Sequence, residues 1–376
     1  MGSIRRNRSG TFQVRYRDPA GRQRARNFAR KTDATRFAHA VETDKVRGDW
    51  LDPRLGRVTF GEWAEEWLDH VGHLKPKTRL DYEVNLRRHV LPVLAEAQIA
   101  ALDRTTMRRL VSEMTANGAG PDVVRIAMHV ARSVFAVALE AGAIKSNPAS
   151  AVRLPRAAKT EMLFLTPAQV ETLAAAIAPP YGTLIRFAAY TGLRAGEIGA
   201  VRVGRLDMLR GSVEVVESLS DVGGRLQFGA TKTYARRHVP LPPFLRDELG
   251  RYLAGRPSDP EALIFTAAKG GPLRHNLFYR HRFKPALPAA GLPDGLRFHD
   301  LRHTYAAFCI ASTADPYAVM RRMGHSSISV TYDTYGHLFP ERDVQITASL
   351  EELYRRADVD SVWTRSGTEG TVRPLK

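Results

Sequence analysis

Residues 298–303 read Phe-His-Asp-Leu-Arg-His, and residues 323–337 read Met-Gly-His-Ser-Ser-Ile-Ser-Val-Thr-Tyr-Asp-Thr-Tyr-Gly-His. In a helix His299 and Arg302 stand three positions apart and share one face. Met323-Gly324-His325 reads as a short turn presenting an imidazole, with Tyr332 and Tyr335 shortly after it. Upstream, Thr191-Gly-Leu-Arg-Ala-Gly-Glu-Ile198 places Gly192 at a helix end and Arg194 at the next helix start, where Glu197 can hold the arginine's fork. Between these stretches Lys232 stands in Thr231-Lys-Thr-Tyr-Ala-Arg-Arg-His-Val-Pro-Leu241, at a hairpin tip able to reach into a groove. Singly, these are a surface ion pair, a solvated lysine, a capping histidine and packed tyrosines. Together they form an ordered series of Arg, Lys, His-x-x-Arg, Gly-His and Tyr in one basic, helix-rich region.

The chain around that region supports a fold of mainly α structure with small β elements (α+β). At roughly 150 residues per domain, 376 residues suggest two or three domains. Residues 1–56 hold 14 Lys/Arg and 6 Asp/Glu, about half of the chain's net +17. Thr11–Arg17 alternates as a strand does, Asp18-Pro-Ala-Gly21 is a turn, and Arg22–Phe28 is a second strand before a helix from about Asp33 to Arg47. Arg15 and Arg17 share one strand face, as do Arg22, Arg24 and Arg26, so this ribbon offers an arginine face to a major groove. Thr59 and Glu62 make a reciprocal cap, and Phe60, Trp63, Ala64, Trp67, Leu68 and Val71 follow at helical spacing. Helical patterns over 76–90, 104–116 and 121–141, with a break at Pro92, make 57–151 an all-helical bundle. Residues 152–162 read as a basic linker. Thr166-Pro-Ala-Gln169 opens the next helix, and 163–357 forms a mixed domain. There Ser212–Ser218 is a strand, and Arg225–Lys232 pairs with Arg236–Leu241 in a hairpin closed near Thr231–Tyr234. Residues 358–376 form a loose tail.

Composition narrows the function. An excess of 56 Lys+Arg over 39 Asp+Glu favours a polyanionic partner. The single Cys309 excludes an intramolecular disulfide framework and a cysteine-based zinc site. Every apolar stretch meets a charge well before about 18 residues, and the basic N-terminus lacks an apolar segment after it. The expectation is a cytoplasmic, nucleoid-associated protein of a bacterial cell, with no membrane partner.

On the ordered motif set the chain resembles the tyrosine recombinase family, specifically the phage-type integrases. The resemblance implies Arg194 as the first arginine, Lys232 as the β-hairpin lysine and His299 with Arg302 as the His-x-x-Arg pair. It further implies His325 in the His/Trp place and Tyr335 as nucleophile. It extends to 1–56 as an arm-type DNA-binding domain and 57–151 as a core-type one, with 163–357 catalytic. Tyr335 lies ten residues after His325, where nine is common in the family, and Tyr332 lies seven after it. The continuation Gly-His-Leu-Phe-Pro favours Tyr335.

That resemblance implies a site-specific DNA recombinase that cleaves and rejoins strands through a 3′-phosphotyrosyl bond, without metal, ATP or other cofactor. Arg194 and Arg302 would bind the phosphate oxygens bidentately, and His325 would add a donor. His299 would accept or return the tyrosine proton, and Lys232 would protonate the departing 5′ oxygen. Implied partners are double-stranded attachment-site DNA, further protomers in a homotetramer, and accessory bending or directionality factors. The segment Glu341–Arg356, with Val344, Leu350, Leu353 and Tyr354, is a candidate protomer interface. Resolvases, invertases and transposon recombinases with the same chemistry stay open as alternatives, as does a non-catalytic DNA-binding regulator.

Overall fold

The computed structural model describes residues 3–18, 21–47, 50–52, 54–157, 161–231, 236–256, 258–312, 315–339 and 343–356. The chain divides into two compact units, 1–160 with 221–225 and 161–220 with the remainder. Helices dominate and the sheets are small, as expected.

In the first unit β1 (Ser3–Arg6), β2 (Phe12–Arg17) and β3 (Gln23–Phe28) form an antiparallel sheet in that order. The residue pattern alone does not reveal the first strand. Helix α1 (Lys31–Arg47) covers one face, burying Val14 and Tyr16 against Ala34 and Val41. The register pairs Tyr16 with Arg24 and Val14 with Arg26, which puts both arginines on the covered side. Arg24 bonds Asp18 at 3.0 Å and Asp52 at 2.9 Å, while Arg26 lies over the rings of Phe28 and Phe37. The expected arginine face is therefore corrected. Arg5, Arg15 and Arg17 line the open face, and the β3 arginines are engaged with the helix side.

Helices α2 (Phe60–His70), α3 (Pro76–Asn85), α4 (Leu91–Leu94), α5 (Arg104–Ala116) and α6 (Pro121–Glu140) build a separate core. The Thr59–Glu62 reciprocal cap is present, and Phe60, Trp63, Ala64, Trp67 and Leu68 are buried. Pro92 does not break the chain's helical run. Residues 86–90 make one wide turn, and Pro92 follows at the start of α4, where a missing N–H is tolerated.

The second unit opens with α7 (Pro167–Ala176), capped by Thr166 and Gln169, then α8 (Gly182–Thr191) and α9 (Ala195–Ile198). Strands β4 (Leu206–Asp207), β5 (Ser212–Val215), β6 (Glu217–Val222), β7 (Arg225–Ala230) and β8 (Arg237–Pro240) follow. Here the expected pairing is overturned. The predicted single strand over Ser212–Ser218 divides at residue 216, β6 pairs with β7, and β8 pairs with β5 in the order β4-β5-β8. Helices α10 (Pro243–Leu253), α11 (His275–Phe278), α12 (Lys284–Ala289), α13 (Asp300–Ala311), α14 (Pro316–Met323), α15 (Ile328–Tyr335) and α16 (Asp343–Arg356) complete it. Leu301 of α13 belongs to the main core, while Tyr305, Ala306, Cys309 and Ile310 join Val319, Met323 and Tyr335 in a second. A helix buried on both sides holds its polar residues rigidly, and α13 carries Arg302 at 4% exposure. The expected tail, 358–376, lies outside the described residues.

Candidate active site

Two left-handed glycines end two helices and turn their carbonyls toward one point. Gly192 (φ 64°) ends α8, and its carbonyl accepts from Arg302 Nη1. A Cβ at this position would stand 2.3 Å from Cδ1 of Tyr305, so only glycine fits. Gly324 (φ 65°) ends α14, and its carbonyl accepts from Arg194 Nη2 at 3.0 Å. The preceding carbonyl, of Met323, accepts from Arg302 Nη2 at 2.6 Å. Such ends leave carbonyls without helical partners, and here guanidiniums take them up.

Glu197, 1% exposed, ties the arginines together. It accepts from the Arg194 backbone N–H at 2.9 Å and from Arg194 Nη1 at 3.0 Å, as the spacing of the two residues predicts. A third guanidinium, Arg237 of β8, grips the same carboxylate at 2.7 and 3.1 Å and donates from Nε to the Arg322 carbonyl at 3.1 Å. The ordered motif set gives Arg237 no role. A signal for it does exist in the strand pattern: Arg237 shares the inward face of buried Val239, and an inward-facing charge requires a partner.

Two guanidiniums share one carboxylate and the remaining one, Arg302, has only carbonyl partners among the described residues, so positive charge is in excess. Burial works against ionisation of Glu197, but the bonds and charges of Arg237 and Arg194 outweigh it and hold the carboxyl below its usual range. Burial, then the charge of Arg194 and Arg237, pulls Arg302 down to about 9, still cationic at neutral pH. An oxyanion placed here would relieve that repulsion and replace carbonyl partners with charged ones.

His325 is half-buried, with Nδ1 2.9 Å from the hydroxyl of Thr331, itself fully buried. Burial first, then Arg302, Arg194 and Arg237, holds its imidazole down to about 4, so it is neutral at pH 7. In the tautomer whose Nδ1 accepts from the Thr331 hydroxyl, the proton is on Nε2, where it can be donated to an anion. The Tyr335 ring stacks nearly parallel to His325, 6.2 Å between centroids. Tyr335 is 1% exposed, and burial pushes its phenol up to about 12 against the lowering effect of Arg302. Tyr332, by contrast, is 51% exposed and packs on Phe339. Arg194, Arg302, His325 and Tyr335 are thus brought together.

His299 and Lys232 stand differently. His299 stands just before α13 without a side-chain bond to the helix end, and its ring meets that of His303 edge-on at 4.9 Å. Desolvation, then His303 and Arg302, lowers its imidazole to about 4; an exposed edge limits the desolvation, but the surrounding positive charge keeps the direction. The hydrogen-bond partner of the Tyr335 hydroxyl is not His299 but His303, whose Nδ1 lies 2.7 Å away. Lys232 lies outside the described residues. Among the described residues no three His, Cys, Asp or Glu side chains converge as a metal site, and no helix is long and apolar enough to cross a membrane.

Comparison with known proteins identifies the family and the fold. Residues 163–342 match the Phage integrase family, and 59–115 match its N-terminal SAM-like domain. A prophage phiRv2 integrase of Mycobacterium tuberculosis is 30% identical over 370 residues, covering 94% of this chain and 96% of that one. The Tn1549 transposon integrase, solved in complex with a circular intermediate DNA, superposes with a TM-score of 0.68 at 20% identity, over 78% of this chain and 99% of that one. The lambda integrase tetramer bound to a Holliday junction gives 0.58 at 17% identity, over 87% and 96%.

Proposed function

Because the chain belongs to the phage integrase family of tyrosine recombinases, we infer that it is a site-specific DNA recombinase that integrates or excises mobile, phage-like DNA. The observation that carries the reading is the meeting of Tyr335 with Arg302, Arg194 and His325 in one pocket of the second unit. Tyr335 attacks a DNA phosphate, and its phenol oxygen becomes esterified to the 3′ end. Arg194 and Arg302 exchange their carbonyl partners for the non-bridging oxygens, and His325 donates from Nε2. The tyrosine proton passes to an imidazole in the first turn of α13, and Lys232 is assigned to protonating the departing 5′ oxygen. Ionising a phenol held at about 12 costs roughly 7 kcal/mol at neutral pH, so the proton must leave as the bond to phosphorus forms.

We assign 1–56 to arm-type DNA contact, 57–151 to core-site contact and 163–357 to catalysis. The partner is duplex DNA of the bacterial nucleoid, and four copies act together with accessory bending or directionality factors. Leu350, Leu353 and Tyr354 of α16, each about 60% exposed, supply an apolar face for a neighbouring protomer. That the lambda integrase is a tetramer on a Holliday junction supports this assembly.

A nicked half-site duplex tests the nucleophile. Wild-type protein should give an SDS-stable protein–DNA adduct, lost in Tyr335→Phe and kept in Tyr332→Phe, while duplex binding persists in both. Adduct lost only in Tyr332→Phe would move the nucleophile.

A further inference from the structure

Resting on the reading of Tyr335 as nucleophile, we propose that His303, rather than His299, is the general base that receives the Tyr335 proton. The phenol oxygen and His303 Nδ1 are 2.7 Å apart, within direct proton-transfer range. The protonated phenol has a hydrogen to give, and the neutral imidazole has one bare ring nitrogen; Tyr335 donates to Nδ1 and His303 keeps its hydrogen on Nε2. His299 instead sets its exposed ring edge-on against His303.

The position of His303 also couples base to phosphate. Arg302 and His303 are consecutive on α13, a helix fixed between two cores. One backbone turn therefore aims Arg302 at the Gly192 and Met323 carbonyls and His303 at Tyr335. A phosphate seated on Arg302 has the base at a set distance without further adjustment. The charged and titratable groups facing His303 are His299, Asp300, Arg297 and Arg302 from α13 and its start, Tyr335 from α15, and His325 from the turn before it. Burial first, then Arg297 and Arg302 against the opposing Asp300, lowers its imidazole below 6.5 and leaves it neutral.

The step balances. The phenol oxygen bonds to phosphorus as its proton passes to Nδ1, and the bond from phosphorus to the 5′ oxygen breaks. The 5′ oxygen takes a proton from the general acid assigned to Lys232. In rejoining, the 5′ hydroxyl bonds to phosphorus as it gives its proton back to that general acid, the bond from phosphorus to the phenol oxygen breaks, and His303 returns its proton to the departing phenolate.

The test uses the full chain and a nicked half-site duplex, selected from a randomised pool by binding to Tyr335→Phe protein. Single-turnover adduct formation is followed against pH. His303→Asn keeps an acceptor near the Nδ1 position, and so the packing, but cannot hold the proton; His303→Gln is read beside it. The wild-type rate should fall as pH drops through the lowered His303 value, below 6.5, and stay flat above. Both variants should bind the duplex normally, form adduct about 100-fold more slowly at pH 7, and accelerate with hydroxide toward the phenol's value near 12. His299→Gln should slow adduct formation less than either His303 variant and keep the wild-type fall at low pH, and a larger loss than theirs would overturn the proposal. Variants within a few-fold of wild type with an unchanged profile, or faster than wild type, as a clamp on the phenol would give, overturn the proposal. Wild-type protein that binds the duplex but forms no adduct would remove the reading of Tyr335 itself, whereas an unslowed His303 variant removes only this one.

Discussion

Arg194 and Arg237 share Glu197, and each also donates to a carbonyl at the end of α14, Arg194 to Gly324 and Arg237 to Arg322. Arg237 braces Arg194 from behind. Arg237→Ala leaves a fully buried carboxylate with one guanidinium instead of two, and a broken buried pair costs about 3 kcal/mol. Urea denaturation should register that loss, and adduct formation should slow at least tenfold because Arg194 loses its brace. Arg237→Lys should recover part of the stability but little of the rate, since an ammonium cannot reproduce two bonds to Glu197 and one to the Arg322 carbonyl. A stability loss with no slowing would mean that Arg194 is aimed without Arg237. The Arg194–Glu197 contact was legible because three residues on a helix start are local geometry. Arg237 and His303 were not, because their partners come from α9 and α15, which tertiary folding alone brings within reach.

The same distinction between local and returning contacts appears among the elements. The caps at Thr59 and Thr166 and the buried face of α2 followed from spacing within one turn. The strand pairing did not: Gly223 and Gly224, at φ 59° and 81°, close β6 on β7, and Gly-Gly is a stronger hairpin signal than Thr231–Tyr234. With β7 taken, β8 pairs with β5, and that pairing is what carries Arg237 inward. The ends of α8 and α14 were half legible: glycines mark helix ends, but which side chains their carbonyls meet is decided by α13 and α9. Gly324→Ala tests this. Alanine at φ 65° costs about 1 kcal/mol, and its Cβ would press at 3.0 Å on the Arg237 guanidinium. Thermal melting should fall by about 2–4 °C or more, and adduct formation should slow with it, because the displaced carbonyl is the one that holds Arg194. Gly295→Ala, where a Cβ meets nothing within 4 Å, should change neither.

At the scale of the whole molecule the net +17 is divided: the 56 residues of the N-terminal segment contribute +8, and the rest of the chain +9. Charge of that kind acts on a polyanion by releasing counterions, so duplex affinity should fall steeply with salt, with log K against log salt having a slope of about −5 or steeper. Composition made this legible, but not which arginines act, because the register turns Arg24 and Arg26 toward α1 and leaves Arg5, Arg15 and Arg17 outward. Replacing those three with Gln should flatten the slope by about 2–3, roughly 0.9 for each phosphate that is no longer neutralised. Replacing Arg26 alone should instead destabilise the sheet's aromatic cluster while leaving the slope nearly unchanged. The triple variant's adduct rate on half-site DNA at saturating protein should match wild type, since Tyr335 and its cations lie in the other unit. An unaltered slope in the triple variant would mean that the open face of β1 and β2 does not lie on the phosphate backbone, and the +8 of this segment would then have to act through α1 or the β-turns instead.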